Sequence, residues 1–118
     1  MCHVLVIEDE WFISEYISEL ANEAGATSTS IAVTEQEAVL AAREQVPAII
    51  LSDVNLLEGT GPRAVATILD EQGPIPVIFI TATPHECGPC NPPNVVLPKP
   101  INRVSVINTF RQLVPSCG

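Results

Sequence analysis

Three stretches of the chain are apolar without interruption, and each one stops abruptly at polar residues. These stretches are residues 4–7, 48–51 and 76–80. Because successive side chains of a strand point to opposite faces, a run with no polar position indicates a strand that is buried on both faces. Strands of this kind are typical of a parallel sheet covered by helices on both sides. This feature limits the possible folds more than any other in the sequence.

Segments with apolar residues at helical spacing separate and follow these runs. The predicted helices cover residues 11–24, 34–45, 62–71 and 102–113. Thr34, with Glu37 three residues later, predicts an N-cap for the second helix. A weaker segment, residues 26–33, is predicted to be an edge strand, and residues 95–97 a short last strand. The alternation predicts an α/β fold in a single domain spanning residues 1–118.

The charge balance argues against nucleic acid as a direct partner. The chain has 5 Lys and Arg residues against 14 Asp and Glu residues, and its formal net charge is −9. The electrostatic field of such a negatively charged protein repels the phosphate backbone of nucleic acids. No apolar run approaches the roughly 20 residues needed to cross a bilayer, and the first residues lack the features of a signal peptide. We therefore expect a cytoplasmic protein with no membrane contact, and the four cysteines do not change this expectation.

Polar side chains with related chemistry follow the apolar runs. They are Glu8, Asp9, Asp53, Thr81 and Lys99. Because ligands of parallel α/β sheets bind at the carboxyl ends of the strands, we expect these side chains to meet in one crevice. Clustered carboxylates repel one another unless a cation lies between them, and oxygen ligands suit Mg²⁺. Lys99 is the only lysine of the chain, and prolines on both sides restrict its backbone.

Residues 4–10, 49–53, 77–82 and the Lys99–Pro100 pair resemble the signature segments of bacterial response-regulator receiver domains, including chemotaxis receivers. This resemblance implies a flavodoxin-like sheet with strand order 2-1-3-4-5. It also implies that Asp53 accepts a phosphoryl group, with Mg²⁺, from a histidine kinase or a histidine phosphotransfer protein. The chain would then be a signalling domain that promotes its own phosphorylation and dephosphorylation, rather than an ordinary enzyme.

The resemblance further implies a metal site built from four residues. Asp9 and Asp53 would bind Mg²⁺ directly, Glu8 would act through a water molecule, and the backbone carbonyl of Asn55 would complete the protein ligands.

The same resemblance implies roles for the remaining polar residues. The hydroxyl of Thr81 would move toward the phosphoryl group, and Lys99 would supply the cation of the family pattern. Gly61 corresponds to a glycine that follows the acceptor loop. The resulting shift would pass the signal to a downstream protein partner. Because the sequence stops soon after the last predicted helix, we expect a stand-alone receiver or a phosphoryl sink.

Two departures from the family pattern raise an alternative. The family usually carries Tyr or Phe three residues before the lysine, where this chain has Val96. Residues 84–94 are rich in proline, so the fourth helix of the family is predicted to be shortened or replaced by a loop. Both departures affect the usual output surface. A receiver-like interaction module that is never phosphorylated is therefore the alternative function.

Cys87 and Cys90 form a CxxC motif, which suggests thiol-disulfide redox chemistry as a remote alternative. That chemistry needs the first cysteine at a helix N-terminus, and Asn91–Pro92–Pro93 prevents a helix from continuing here. A metal site formed with His85 lacks an obvious fourth ligand. We therefore predict that these two cysteines are inert thiols, with a disulfide across the loop as another option.

Overall fold

The computed structural model describes residues 2–84 and 95–117. The strands in this part of the chain are β1 (His3–Ile7), β2 (Ser28–Ala32), β3 (Ile49–Ser52), β4 (Val77–Thr81) and β5 (Val95–Pro98). The α-helices are α1 (Trp11–Ala24), α2 (Glu35–Glu44), α3 (Gly61–Gln72) and α4 (Arg103–Leu113). A short 3₁₀ helix, Pro115–Cys117, follows α4.

The strands form one five-stranded sheet in the order β2-β1-β3-β4-β5. Every neighbouring pair is parallel. Every residue of β1, β3 and β4 is buried, whereas four of the five residues of the edge strand β2 retain some exposure. The prediction of a flavodoxin-like α/β fold with this strand order is confirmed. The uninterrupted apolar runs correspond to the three central strands, as strands covered on both faces require.

Two apolar layers enclose the sheet, and β1 contributes alternate residues to them. Val4 and Val6 pack in the layer with α1 and α4, which includes Phe110. Leu5 and Ile7 pack in the layer with α2 and α3. Burial of each such side chain contributes about 1.5–3 kcal/mol. The two layers fix the sheet between the helices, and so fix which polar residues lie at its carboxyl edge.

The residues before α2, α3 and α4 accept free backbone N–H groups with their side chains, whereas Glu10, before α1, does not. Thr34 accepts a hydrogen bond from the Glu37 N–H at 3.1 Å, as predicted. The Glu37 carboxylate accepts a hydrogen bond from the N–H of Val33 at 3.2 Å. In a capping box it would accept the N–H of Thr34, one residue later. Thr60 and Asn102 cap α3 and α4 in the same way. The predicted helix boundaries agree with the structure to within one residue.

A disulfide bond joins Cys2, at the start of the sheet, to Cys117 in the 3₁₀ helix, with their Cα atoms 5.3 Å apart. No motif or spacing in the sequence predicts this bond. The predicted proline-rich loop lies mostly outside the described residues, and the expected thiols of Cys87 and Cys90 lie there entirely. Among the described residues, no helix is long and apolar enough to span a bilayer.

Candidate functional site

Parallel strands place the predicted polar residues at one edge of the sheet. Glu8 and Asp9 follow β1, Asp53 follows β3, Thr81 ends β4, and Lys99 follows β5. β1 lies directly beside β3, and β4 lies between β3 and β5. The backbone N–H of Lys99 donates to the carbonyl of Thr81 at 2.8 Å, which joins the last two of these positions.

Three carboxylates come together at this edge. One oxygen each of Glu8, Asp9 and Asp53 lies within 4.8 Å of the others. Glu8 is 1% exposed, while Asp9 and Asp53 are half-buried. Three acidic groups at this separation repel one another, and a divalent cation relieves that repulsion. Carboxylate oxygens are also the ligands that Mg²⁺ prefers. The donor set therefore fits the ion that the sequence analysis predicted.

Lys99 contacts two of the three carboxylates. Its Nζ lies 3.1 Å from Glu8 Oε1 and 3.6 Å from Asp53 Oδ2. Its side chain is 18% exposed, so these pairs form in a partly desolvated pocket. The stronger contact is with Glu8, whose other oxygen accepts the N–H of Glu10 at 3.2 Å. Glu8 therefore holds the ammonium beside Asp53, a role that the sequence analysis did not assign to it.

Burial and mutual repulsion shift the titration of the pocket. Burial raises the pKa of Glu8 to about 7, with a further upward contribution from Asp53; the Glu10 N–H and Lys99 oppose these effects. Burial also raises the pKa of Asp53, opposed mainly by Lys99. Burial alone would lower the pKa of Lys99, but Glu8 and Asp53 together raise it. The pocket thus keeps Lys99 charged and raises the pKa values of Glu8 and Asp53.

The segment after β3, residues 53–60, is here called the acceptor loop. The Val54 N–H donates to Asp53 Oδ1 at 2.8 Å, which leaves Oδ2 as the oxygen nearest Lys99. The Gly61 N–H donates to the Val54 carbonyl at 2.9 Å. A Cβ atom on Gly61 would overlap the Asp53 carbonyl, so the loop can close against Asp53 only with glycine here.

Asn55 and Thr60 close the acceptor loop through an isolated antiparallel bridge. The Thr81 hydroxyl accepts the N–H of Thr83 at 3.1 Å. Val96, in place of the family aromatic, pairs with Phe79 and packs partly buried against the core layer of α2 and α3. The structure therefore brings together the carboxylates and Lys99, and places Asn55 and Thr81 on the segments that flank them.

Comparisons with known proteins agree with this arrangement. Residues 4–87 match the response regulator receiver domain family. The phyllosphere-induced regulator PhyR of Methylorubrum extorquens is 32% identical over 112 residues, which cover 92% of this chain and 42% of that protein. The chain thus spans less than half the length of this curated relative.

Solved structures of PhyR proteins are also similar. The receiver domain of Erythrobacter litoralis PhyR superposes with a TM-score of 0.85 at 33% identity, over 96% of this chain and 89% of that one. The anti-anti-sigma factor PhyR of Bartonella quintana gives a TM-score of 0.73 at 31% identity, over 98% of this chain and 51% of that one. The chain therefore belongs to the response regulator receiver domain family, a family of signalling modules in two-component systems.

Proposed function

We propose that this protein is a phosphoacceptor receiver in a two-component phosphorelay, with Asp53 as the acceptor. One observation carries the proposal: Asp53 Oδ2 lies 3.6 Å from the only lysine ammonium of the chain, in a pocket that also holds the Asp9 carboxylate. A nucleophilic carboxylate, a cation and an acidic metal-binding pair are what phosphoryl transfer to aspartate needs. The donor would be a histidine kinase or a histidine phosphotransfer protein, which implies a cytoplasmic location.

Mg²⁺ would be held by Asp9, Asp53 and the backbone carbonyl of Asn55, with Glu8 acting through water. When bound, the ion neutralises the clustered carboxylates and the charge on the phosphoryl oxygens. This assignment draws support from the separation of the Glu8, Asp9 and Asp53 oxygens, all within 4.8 Å of one another. Within residues 2–84 and 95–117, no other group of three or more Asp, Glu, His or Cys side chains lies close enough together to hold a metal ion.

The proposed transfer uses groups already positioned in the pocket. Asp53 Oδ2 attacks phosphorus, the P–N bond of the phosphohistidine breaks, and its electron pair returns to the imidazole nitrogen. The Val54 N–H holds Oδ1 at 2.8 Å and so orients Oδ2 for attack. Lys99 would stabilise negative charge on the transferred group. Thr81, whose hydroxyl oxygen accepts the Thr83 N–H, would donate its O–H to a phosphoryl oxygen.

The downstream partner is proposed to be a protein, reached through a shift of the Thr81 segment. The Bartonella relative is described as an anti-anti-sigma factor, which makes an anti-sigma factor a reasonable partner to test. Comparing binding with and without beryllofluoride, a phosphoryl mimic, would show whether the interaction depends on the state of Asp53.

Val96 supports a second candidate function, a receiver-like module that binds its partner without phosphorylation. Because residue 96 is valine, it offers no aromatic ring that could move inward on phosphorylation. Its side chain is already packed against the core layer that contains Phe79. Beryllofluoride with Mg²⁺ distinguishes the two candidates. Amide NMR shifts that reach Thr81 and Val96 favour the phosphoacceptor, and shifts at neither residue favour the constitutive module.

Phosphoryl uptake tests the main proposal directly. Wild type, Asp53→Asn and the control Asp70→Asn are incubated with labelled acetyl phosphate and Mg²⁺. Asp70 is an exposed residue of α3, so its substitution controls for the loss of one negative charge. We expect labelling of wild type and Asp70→Asn, and none of Asp53→Asn. Equal labelling of all three proteins would remove Asp53 from the proposed role.

A further inference from the structure

Glu35, the first residue of α2, contacts the acceptor loop from outside the carboxylate pocket. Its backbone N–H donates to the carbonyl of Glu58 at 3.2 Å. Its carboxylate Oε2 accepts the N–H of Thr60 at 3.4 Å, and Oε1 lies 3.6 Å from Arg63 Nε. The side chain is 26% exposed, so these contacts are partly shielded from water. One residue of α2 therefore holds the loop on both sides of Gly59.

Gly59 permits this close approach. A Cβ atom on Gly59 would lie 2.6 Å from Glu35 Cβ and would overlap the Glu35 carboxylate. Gly59 also has a φ angle of +81°, in the region that favours glycine. The loop backbone thus packs directly against the Glu35 side chain, with no side chain between them.

A continuous set of backbone contacts leads from Glu35 to Asp53. Thr60, bonded by Glu35, pairs with Asn55 across the loop. The next residue, Gly61, donates to the Val54 carbonyl at 2.9 Å. Val54 in turn donates to Asp53 Oδ1 at 2.8 Å. Displacement of the loop at Thr60 would therefore move both Asn55 and the N–H that orients the Asp53 carboxylate.

We propose that Glu35 is a positioning residue, which uses its contacts with Gly59 and Thr60 to hold the acceptor loop in the geometry that binds the divalent cation. This inference rests on the proposed function, because it assumes that the ion binds beside Asp53. Glu35 does not itself lie among the clustered carboxylates. It acts through the position of the Asn55 backbone and the orientation of Asp53.

Glu37 provides a matched control on the same helix turn. It is a second glutamate in the first turn of α2, more exposed than Glu35, and its carboxylate accepts the N–H of Val33, ahead of the helix. Glu35→Ala and Glu37→Ala remove the same charge at the same helix end, so both alter the helix dipole interaction alike. Thr34 remains to cap α2 in both variants.

The first experiment titrates Mg²⁺ into wild type and both variants and follows the amide NMR signals of Val54 and Gly61. Residues that orient metal ligands typically change affinity by about 10- to 100-fold. Because Glu35 acts one step further away, we expect Glu35→Ala to raise the Mg²⁺ Kd by roughly three- to tenfold. We expect Glu37→Ala to stay within about twofold of wild type, and Glu35→Gln, which keeps an acceptor for Thr60, to recover most of the loss.

Labelling with acetyl phosphate at saturating Mg²⁺ separates positioning from general damage. We expect Glu35→Ala to approach the wild-type rate there, because excess ion compensates for weaker binding. A wild-type Kd in Glu35→Ala, or an equal loss in Glu37→Ala, would overturn the positioning role. Absence of labelling in wild type would instead refute the proposed function, and the Mg²⁺ titration would still test Glu35. A wild type that binds no Mg²⁺ would refute both.

A double-mutant cycle tests whether Gly59 and Glu35 act together. Gly59→Ala alone should weaken Mg²⁺ binding, because the new Cβ displaces the Glu35 side chain. In the Glu35→Ala background the overlap with the carboxylate is gone, while the close approach of the two Cβ atoms and the cost of the positive φ both remain. The second substitution should therefore weaken binding less than it does in wild type. Additive losses would show that the two residues affect the loop independently and would contradict the proposal.

Discussion

The two ends of β1 have opposite physical character. At its amino end, Cys2 is bonded to Cys117, and both ring nitrogens of His3 have serine partners on β2. At its carboxyl end, Glu8 and Asp9 lie beside Asp53. One end is covalently tied and its polar groups are satisfied. The other gathers like charges that destabilise the fold and are available for chemistry.

This difference indicates where stability and function reside in the molecule. Groups that repel one another in a pocket cost folding free energy, and such costs are typical of functional sites. The disulfide lies at the amino end of β1, where Cys2 directly precedes the strand, away from that pocket. We therefore expect substitutions at the amino end to change stability while sparing the site, and substitutions at the carboxyl end to link the two properties.

The largest expected effect is loss of the disulfide. Cys2 and Cys117 are 115 residues apart in sequence, so the bond restricts nearly the whole unfolded chain. Cys117→Ser should lower the free energy of unfolding of the oxidised protein by about 3–5 kcal/mol. Urea unfolding measures this loss, and reductant should bring wild type down to the variant. A Mg²⁺ affinity that fell in parallel would show that the two ends of β1 are not independent.

A smaller loss is expected from an added methyl group at the carboxyl end. Gly61→Ala should cost about 3 kcal/mol, because the Cβ overlaps the Asp53 carbonyl and the hydroxyl of Ser52. Gly73→Ala is the control: its φ of +86° is unfavourable for alanine, unlike that of Gly61, but no atom lies within 4 Å of the added Cβ. That control should cost about 1 kcal/mol. Thermal unfolding compares the two, and only Gly61→Ala should also impair phosphoryl uptake.

A second substitution at the carboxyl end should stabilise the protein. Burial raises the pKa of Glu8 from 4.5 to about 7. Between these two pH values, Glu8 is therefore protonated in the folded state and ionised in the unfolded state. The stability associated with this group is therefore complete below pH 4.5 and declines as the pH rises through about 7. Glu8→Gln, which resembles the protonated form, should be more stable than the metal-free wild type by about 2 kcal/mol at about pH 8.

The same substitution has a built-in control. The difference between wild type and Glu8→Gln should shrink to nearly zero well below pH 4.5, where Glu8 is protonated in both states. Chemical unfolding at a series of pH values measures it. A variant less stable than wild type at high pH would mean that the Lys99–Glu8 ion pair outweighs the desolvation of Glu8.

Much of the fold followed from the sequence, because local patterns and burial agree. The apolar runs of β1, β3 and β4 are buried along their whole length, so their pattern could be recognised without knowledge of their neighbours. The positions of Asp53 and Lys99 at one edge followed from the parallel arrangement of strands. Thr34 marked the start of α2 because an N-cap is a local hydrogen bond.

Features that depend on distant segments could not be predicted in the same way. The Cys2–Cys117 bond depends on where α4 brings the chain after Leu113, and no local spacing encodes this. The contacts of Glu35 with the acceptor loop depend on the packing of α2 beside α3. The closer contact of the Lys99 ammonium with Glu8 than with Asp53 depends on how the side chains are arranged inside the pocket. Sequence identified the groups present in the site but not their pairing.

The smallest expected effect is at His3 and has the opposite pH dependence to that of Glu8. Burial lowers the pKa of His3 from 6.5. The unfolded state therefore binds a proton at a higher pH than the folded state does, and stability falls as the pH drops below about 6.5. His3→Gln keeps partners for Ser28 and Ser30 but does not titrate. Between about pH 7.5 and 5, wild type should lose roughly 1 kcal/mol or less relative to this variant.

Comparing wild type with His3→Gln isolates the contribution of His3 to the pH dependence of stability. Both proteins contain Glu8, so its opposing contribution cancels. The measurement is the urea midpoint at each pH, and phosphoryl uptake serves as the readout for the other end of the strand. Uptake should stay equal in the two proteins over the whole range, since His3 bonds the edge strand rather than the pocket. A stability difference independent of pH would show that the His3 ring is as easily protonated in the fold as in the unfolded chain, and that only the carboxyl end of β1 carries a titrating group that matters for stability.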